Sequence, residues 1–259
     1  MRPLKTIQIT LGILLVGLPF HGSEAHDLKL QEGAIVRGPT NAKRLAIVFT
    51  AHQFAEGGEI ILDELNRHKG KGSFFLTGDF LANTNFAPLI QRMVKEGHCL
   101  GPHSDKHLLY CPWDGPKKTL VSREEFQRDL DANLKKIQRA GIPPKQIRYF
   151  LPPYEHYNSE IAAWAKEMDL TLIHYTPGTR SNADYTSEAE KNFASTKTIF
   201  ESIVAKEQQD PNGLNGFLLL LHIGSGLARE DKFHKRFGEL LDYLTAKGYE
   251  FVRVDELLK

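Results

Sequence analysis

The sequence predicts an α/β protein in a single domain, built as a closed or nearly closed parallel barrel in preference to an open doubly wound sheet. Three observations point there. From Arg44 onward, short β-rich runs alternate with amphipathic helical stretches, giving about seven β/α units in roughly 215 residues. Residues 218–221 are four consecutive leucines, as expected of a strand covered on both faces. Polar and ionisable residues gather where the strands end, which is where a parallel barrel builds its working face.

Taken in order, strands are expected over 44–50, 73–76, 99–102, 148–151, 171–175, 216–222 and 249–254. Helices are expected over 59–68, 86–96, 123–140, 161–168 and 232–246. The clearest is 123–140: Phe126, Leu130, Leu134 and Ile137 share one face, Ser122 with Glu125 forms a capping box, and Gly141 with Pro143 ends it. No Gly/Ser-rich linker or charge block divides the chain.

The chain has 259 residues, 41% of them hydrophobic and 25% charged, enough to bury a core without a partner. Lys and Arg number 33 against 32 Asp and Glu, so no broad positive field is available to grip nucleic acid or an anionic membrane. Residues 1–25 read as an export signal: Arg2 and Lys5 precede an apolar run from Ile9 to Phe20, and Ser23-Glu24-Ala25 offers a cleavage site. Cleavage after Ala25 leaves a periplasmic or extracellular chain with 31 basic and 31 acidic residues and no membrane anchor; an uncleaved anchor is the alternative. Residues 26–43 read as an N-terminal extension and 44–259 as the barrel domain. Cys99 and Cys111 form no CxxC and suit either one disulfide or two inert thiols.

The strand exits supply the chemistry. The first runs into Thr50, Ala51, His52, Gln53 and Glu56; the second into Asp79; the third into His103, Ser104 and His107; the fourth into Tyr154 and Glu155; the fifth into Arg180; the sixth into His222. His103 and His107 are four apart, a spacing that on a helical turn lets both imidazoles share a metal. With 11 histidines such a pair arises by chance about half a time, so its weight comes from its place after a strand, with Ser104 available to hold the turn.

These stretches, in this order, resemble the polysaccharide deacetylases of carbohydrate esterase family 4, which carry the NodB homology domain. The resemblance runs from about Arg44 to Leu258. Gly72-Ser73-Phe74-Phe75-Leu76-Thr77-Gly78 resembles the second-strand signature. Gly101-Pro102-His103-Ser104-Asp105-Lys106-His107 resembles the metal-binding segment, Pro152-Pro153-Tyr154 with Asn158 the third motif, and Leu220-Leu221-His222 the last. The resemblance implies a distorted (β/α)7 barrel and hydrolysis of N-acetyl or O-acetyl groups on a poly- or oligosaccharide. It also implies a divalent metal, commonly zinc, on His103 and His107, Tyr154 near the oxyanion, and His222 as general acid. Asp184, before Tyr185, resembles the fourth motif and is expected to orient His222.

Two departures qualify it. The family ends its first strand with adjacent aspartates, base then ligand, where this chain has Thr50 and Ala51; the third-motif arginine is Leu151. A methyl group binds no metal and a threonine hydroxyl is too weak a base near neutral pH. His52 is the expected third ligand, with Glu56 the alternative; Glu155 is the expected base, with Glu56 again the rival. Asp79 and Arg180 are candidate sugar contacts, and Tyr110, Trp113, Tyr154, Tyr157 and Tyr185 candidate stacking platforms. The other class of function open to such a chain is a catalytically impaired, carbohydrate-binding pseudoenzyme.

Overall fold

The computed structural model describes residues 28–114 and 117–259. The export signal expected in residues 1–25 lies outside them. Nine strands and eight α-helices are described: β1 (Lys29–Gln31), β2 (Ala34–Arg37), β3 (Arg44–Ala51), α1 (Gly58–Arg67), β4 (Ser73–Leu76), α2 (Gly78–Ala82), α3 (Ala87–Lys95), β5 (Cys99–Pro102), α4 (Arg123–Arg139), β6 (Tyr149–Phe150), α5 (Ser159–Glu167), β7 (Thr171–Leu172), α6 (Thr196–Gln209), β8 (Leu218–His222), α7 (Phe237–Ala246), β9 (Glu250–Phe251) and α8 (Val254–Leu257).

The central parallel sheet runs β5-β4-β3-β8, with β9 also pairing β3. Thinner links carry the ring onward. Leu151 N–H donates to Pro102 O, joining β5 to the end of β6, and β6 pairs with β7. Ile173 bridges to Ile35 of β2, while Thr176 N–H donates to Leu218 O of β8. The result is the expected distorted barrel.

Side-chain parity explains its two cores. Successive residues of a strand point to opposite faces. On β3, Leu45, Ile47 and Phe49 pack outward under the helices, while Ala46 and Val48 point inward with Ile35, Phe75, Tyr149, Leu151, Ile173, Leu218 and Leu220. Val254, Leu257 and Leu258 join that inner cluster from the C-terminal end of the chain. Gly101 is required where β5 faces inward, because a Cβ there would sit 2.5 Å from the Phe75 ring.

Several boundaries differ from the sequence reading. The expected strands at 148–151, 171–175 and 249–254 shrink to two-residue ladders. Pro152 and Pro153, which have no N–H to give, stop the first of them. The helix expected from residue 232 starts at Phe237, after a 3-10 turn over Phe233–Arg236. The 26–43 segment is more than an extension: β1 and β2 form a hairpin whose second strand is buried and fills a gap in the barrel wall. Helix α6, absent from the sequence reading, buries only Thr196, Ile199 and Ile203 and is capped by Ser195, whose hydroxyl accepts from Thr198 N–H. Cys99 and Cys111 are both free thiols.

His98, immediately before β5, is buried and accepts the Gly72 N–H on Nδ1 at 3.0 Å, with its ring edge-on to Phe74. Burial first, then the nearby Lys71 charge, lower its pKa from 6.5 to about 4 against the opposing pull of Glu96. The unfolded chain therefore takes this proton first, so the stability from neutral His98 is complete above pH 6.5 and is lost as pH falls toward 4. The expected loss is about 1–3 kcal/mol. His98→Gln keeps an acceptor for Gly72 but does not titrate, so its denaturant-unfolding stability should fall less steeply across this window. Parallel curves for the two proteins would remove His98 from the acid sensitivity.

Candidate active site

Parity that fills the barrel below also sets the residues above it. One step beyond the inner core, the inward positions are Thr50 on β3 and His222 on β8, which are register partners. His103 follows β5, two residues after the inward Gly101. They line a cavity of about 480 Å³ together with Ala51, His52, His107, Trp113, Tyr154, Glu155, Tyr185 and Glu190.

His222 and Asp184 form a fixed pair. Asp184 Oδ1 lies 2.6 Å from His222 Nδ1, and its Oδ2 accepts the His222 backbone N–H at 2.9 Å. Burial works against protonation of His222, but the carboxylate outweighs it and raises the imidazole pKa above its ordinary value. Asp184 in turn rides on a loop clamped by Arg229, a fully buried guanidinium that the sequence reading missed. It donates to the carbonyls of Thr186, Ala194 and Asp231 at 2.5, 2.9 and 2.5 Å, with Ala183 O at 3.3 Å.

The other wall holds three imidazoles. His107 lies 4.6 Å from His52, rings nearly parallel, and 5.1 Å from His103, between ring centroids. All three are pushed toward the neutral form, chiefly by burial; His103 falls well below its ordinary value and His107 to about 3. His103 Nδ1 sits 2.7 Å from Leu151 O, the geometry of an N–H donating to a carbonyl, which leaves Nε2 as the acceptor nitrogen.

His103 and His107 do not lie on a helical turn as the spacing suggested. Ser104 and His107 both take the left-handed conformation, with φ of 69° and 57°. The turn is held from below by Asp129 of α4, whose carboxylate accepts from Ser104 Oγ and from the backbone N–H groups of Asp105 and Lys106. Ser104 then accepts from Leu108 N–H, and Asn133 accepts the His103 N–H. Asp129 and Asn133 lie on the buried face of α4, whose expected membership was wholly apolar. Polar side chains on an apolar helix face were the signal available for finding them.

Tyr154 and Glu155 are also consecutive left-handed residues, at φ 57° and 54°. Of seven non-glycine residues with positive φ among those described, these two, Ser104 and His107 belong to this site. Backbone held this way costs roughly 1 kcal/mol or more per residue and marks a constellation fixed by its surroundings. Burial first, and then the Asp184 charge, raise the Glu155 carboxyl to about 7 against the opposing pull of His222.

Not every candidate reaches the cavity. Arg180 does not line it and instead donates to Asn192 O from its side chain. Asp79 pairs with Lys106. The Glu56 carboxylate accepts from the backbone N–H groups of Ser225 and Gly226 and from Lys232 Nζ, which lowers its pKa against burial, so it ties two loops together and is spent as ligand or base. Tyr110 is a core residue, and buried Tyr157 donates to Gln31 O. The exposed aromatics at the cavity are Trp113, Tyr154, Tyr185 and Phe54, the last not among the expected stacking platforms.

Three neutral imidazoles, one with its outer nitrogen tied to a carbonyl, suit a divalent metal of the zinc type in donor chemistry. Among the described residues, no three His, Cys, Asp or Glu groups close on one point as a metal shell would. The donor set is thus collected without being closed.

The sequence profile of the polysaccharide deacetylase family matches residues 37–173. A peptidoglycan-N-acetylglucosamine deacetylase of Bacillus cereus is 29% identical over 223 residues, covering 86% of this chain and 70% of its own. The peptidoglycan-N-acetylglucosamine deacetylase PgdA of Listeria monocytogenes is 26% identical over 228 residues, covering 86% of this chain, which spans 40% of PgdA's length. Among solved structures, a CE4 family pseudoenzyme from Bacillus anthracis has the same fold, with a TM-score of 0.66 at 19% identity, covering 89% of this chain and 70% of that one.

Replacing Asp129 with Asn puts an amide N–H₂ against donors and should unsettle the His103–His107 turn. The expected cost is about 1–3 kcal/mol in denaturant unfolding, with altered histidine ring signals in NMR. Unchanged stability and unchanged signals would show that the turn holds itself.

Proposed function

The chain belongs to the polysaccharide deacetylase family, and on that footing we propose that it is an exported, metal-dependent deacetylase removing N-acetyl or O-acetyl groups from a poly- or oligosaccharide. The observation that carries this reading is the convergence of the His222–Asp184 pair, Glu155 and three neutral imidazoles on one cavity. In this reading His103, His107 and His52 hold the metal, and zinc matches an all-imidazole donor set. When bound, the metal supplies Lewis acidity toward the acetyl carbonyl.

The chain's own groups divide the proton work. Glu155 takes a proton from water as its oxygen adds to the acetyl carbon, a task suited to a carboxyl with a pKa near 7. Tyr154, bent into the cavity wall, stands on the oxyanion side. As the bond from the acetyl carbon to the sugar nitrogen or oxygen breaks, His222 gives its proton to that leaving atom. The products are acetate and a free amine or hydroxyl. Asp184 keeps Nδ1 engaged, so the other ring nitrogen does the transfer. Exposed Trp113, Tyr154 and Tyr185 offer apolar faces to pyranose rings. No helix among the described residues is long and apolar enough to cross a membrane; export rests on residues 1–25 and is tested by cell fractionation.

A second reading is favoured by Thr50 and Ala51, which replace both first-strand aspartates of the family pattern. It is a glycan-binding pseudoenzyme; the Bacillus anthracis neighbour is itself named a CE4 family pseudoenzyme.

Acetate release from N-acetylglucosamine oligomers, peptidoglycan and acetylated xylan separates the two. The deacetylase reading expects release from at least one, abolished by chelation, restored by zinc, and reduced on the order of 10²-fold or more by Glu155→Gln or His222→Ala. Metal-replete protein that binds a glycan and releases no acetate from any of them establishes the second reading instead.

A further inference from the structure

Thr50 is the uppermost inward residue of β3. Ala46 and Val48 beneath it pack in the barrel interior, and His222 sits beside it in register. Its side chain therefore faces the barrel axis at the cavity floor, and it lines that cavity while being only 2% exposed. Its hydroxyl oxygen has no hydrogen-bond partner among the described residues. Thr77, after the neighbouring strand β4, shows the contrast: its hydroxyl caps α2 by accepting from Phe80 N–H and also meets His52 Nδ1 at 3.2 Å.

Valine would fill the Thr50 site with the same shape and no polar atom to satisfy. A buried hydroxyl without a partner weakens the fold, whereas the same hydroxyl given a ligand atom to bond strengthens binding. The strand's job explains the backbone, since Thr50 O accepts from Ile223 N–H in the β3–β8 ladder, but leaves the hydroxyl unexplained. We propose that Thr50 Oγ hydrogen-bonds the scissile acetamido or acetoxy group of the bound sugar, beside the leaving atom that His222 serves. This rests on the deacetylase reading for the identity of the ligand. A hydroxyl can accept from an amide N–H, which an ester lacks, or donate to the carbonyl oxygen that both share.

The test compares wild type, Thr50→Val and Thr50→Ser, using an N-acetylglucosamine pentamer and acetylated xylan as probes. Thr50→Val is expected to keep or raise the melting temperature while lowering kcat/KM about 10-fold, the loss of one hydrogen bond to substrate. Thr50→Ser, which retains the hydroxyl, should stay near wild type. A loss confined to the N-acetyl probe assigns Thr50 as acceptor of the amide N–H; an equal loss on both assigns it as donor to the carbonyl. Should the wild type release no acetate, the deacetylase reading fails on its own, and calorimetric affinity for the pentamer still decides Thr50. Equal performance of Val and wild type in turnover and affinity, or a clear drop in melting temperature for Val, would overturn the proposal.

Discussion

In a parallel ladder, parity and register together decide which side chains share a space, and here the β3–β8 register does so for the whole site. It pairs Thr50 with His222 and, two and four residues below, Val48 with Leu220 and Ala46 with Leu218. A shift of one residue would turn Phe49 and Leu221 into the cavity and bury Thr50 and His222 beneath the helices. The buried apolar residues on both faces of β3 therefore enforce the site as well as the fold, because a slip that moved His222 would expose or misplace every one of them.

The fixed strand ends hand precision to the loops, and the loops obtain it by burying polar groups with full complements of partners. Asp129 accepts three hydrogen bonds beneath the His103–His107 turn, and Arg229 donates to four carbonyls around the Asp184 loop. Each is a charge expensive to bury alone and well compensated where it sits. The left-handed backbone at Ser104 and His107 lies in the turn that the Asp129 network holds. His103 is steered by the carbonyl of Leu151, so the absence of the family's arginine side chain there leaves that contact intact.

Fold class was legible because the alternation of β-rich and amphipathic stretches and the four-leucine run are direct consequences of burial on both faces. The gathering of His52, His103, His107, Glu155 and His222 was legible for the same reason, since a parallel barrel brings strand exits to one end. What escaped was whatever depends on distant pairing. Helix α6 has too narrow an apolar stripe to announce itself, and the β1–β2 hairpin is recognisable as barrel wall only once Ile35 meets Ile173, 138 positions along the chain. Arg180 and Glu56 looked like site residues because they follow strands, yet Arg180 is held by Asn192 O and Glu56 by the distant Ser225–Gly226 loop. Arg229 and Asp129 read as surface charges until their burial is seen.

The charge balance of the cavity bears on the proposed deacetylase chemistry. Among the described lining residues there is no Lys or Arg; the ionisable groups are four histidines, Glu155, Glu190, Tyr154 and Tyr185. Three of those histidines are held neutral, and the fourth is already matched by Asp184. Acetyl transfer to water develops negative charge on the carbonyl oxygen, and stabilisation of that charge is usually the largest single contribution to such catalysis. In the proposed reaction, with the Glu155 and His156 N–H groups already given to Pro152 O and Pro153 O, that charge would be met by a cation held on the neutral imidazoles. A sugar bound without reaction develops no such charge and makes no such demand.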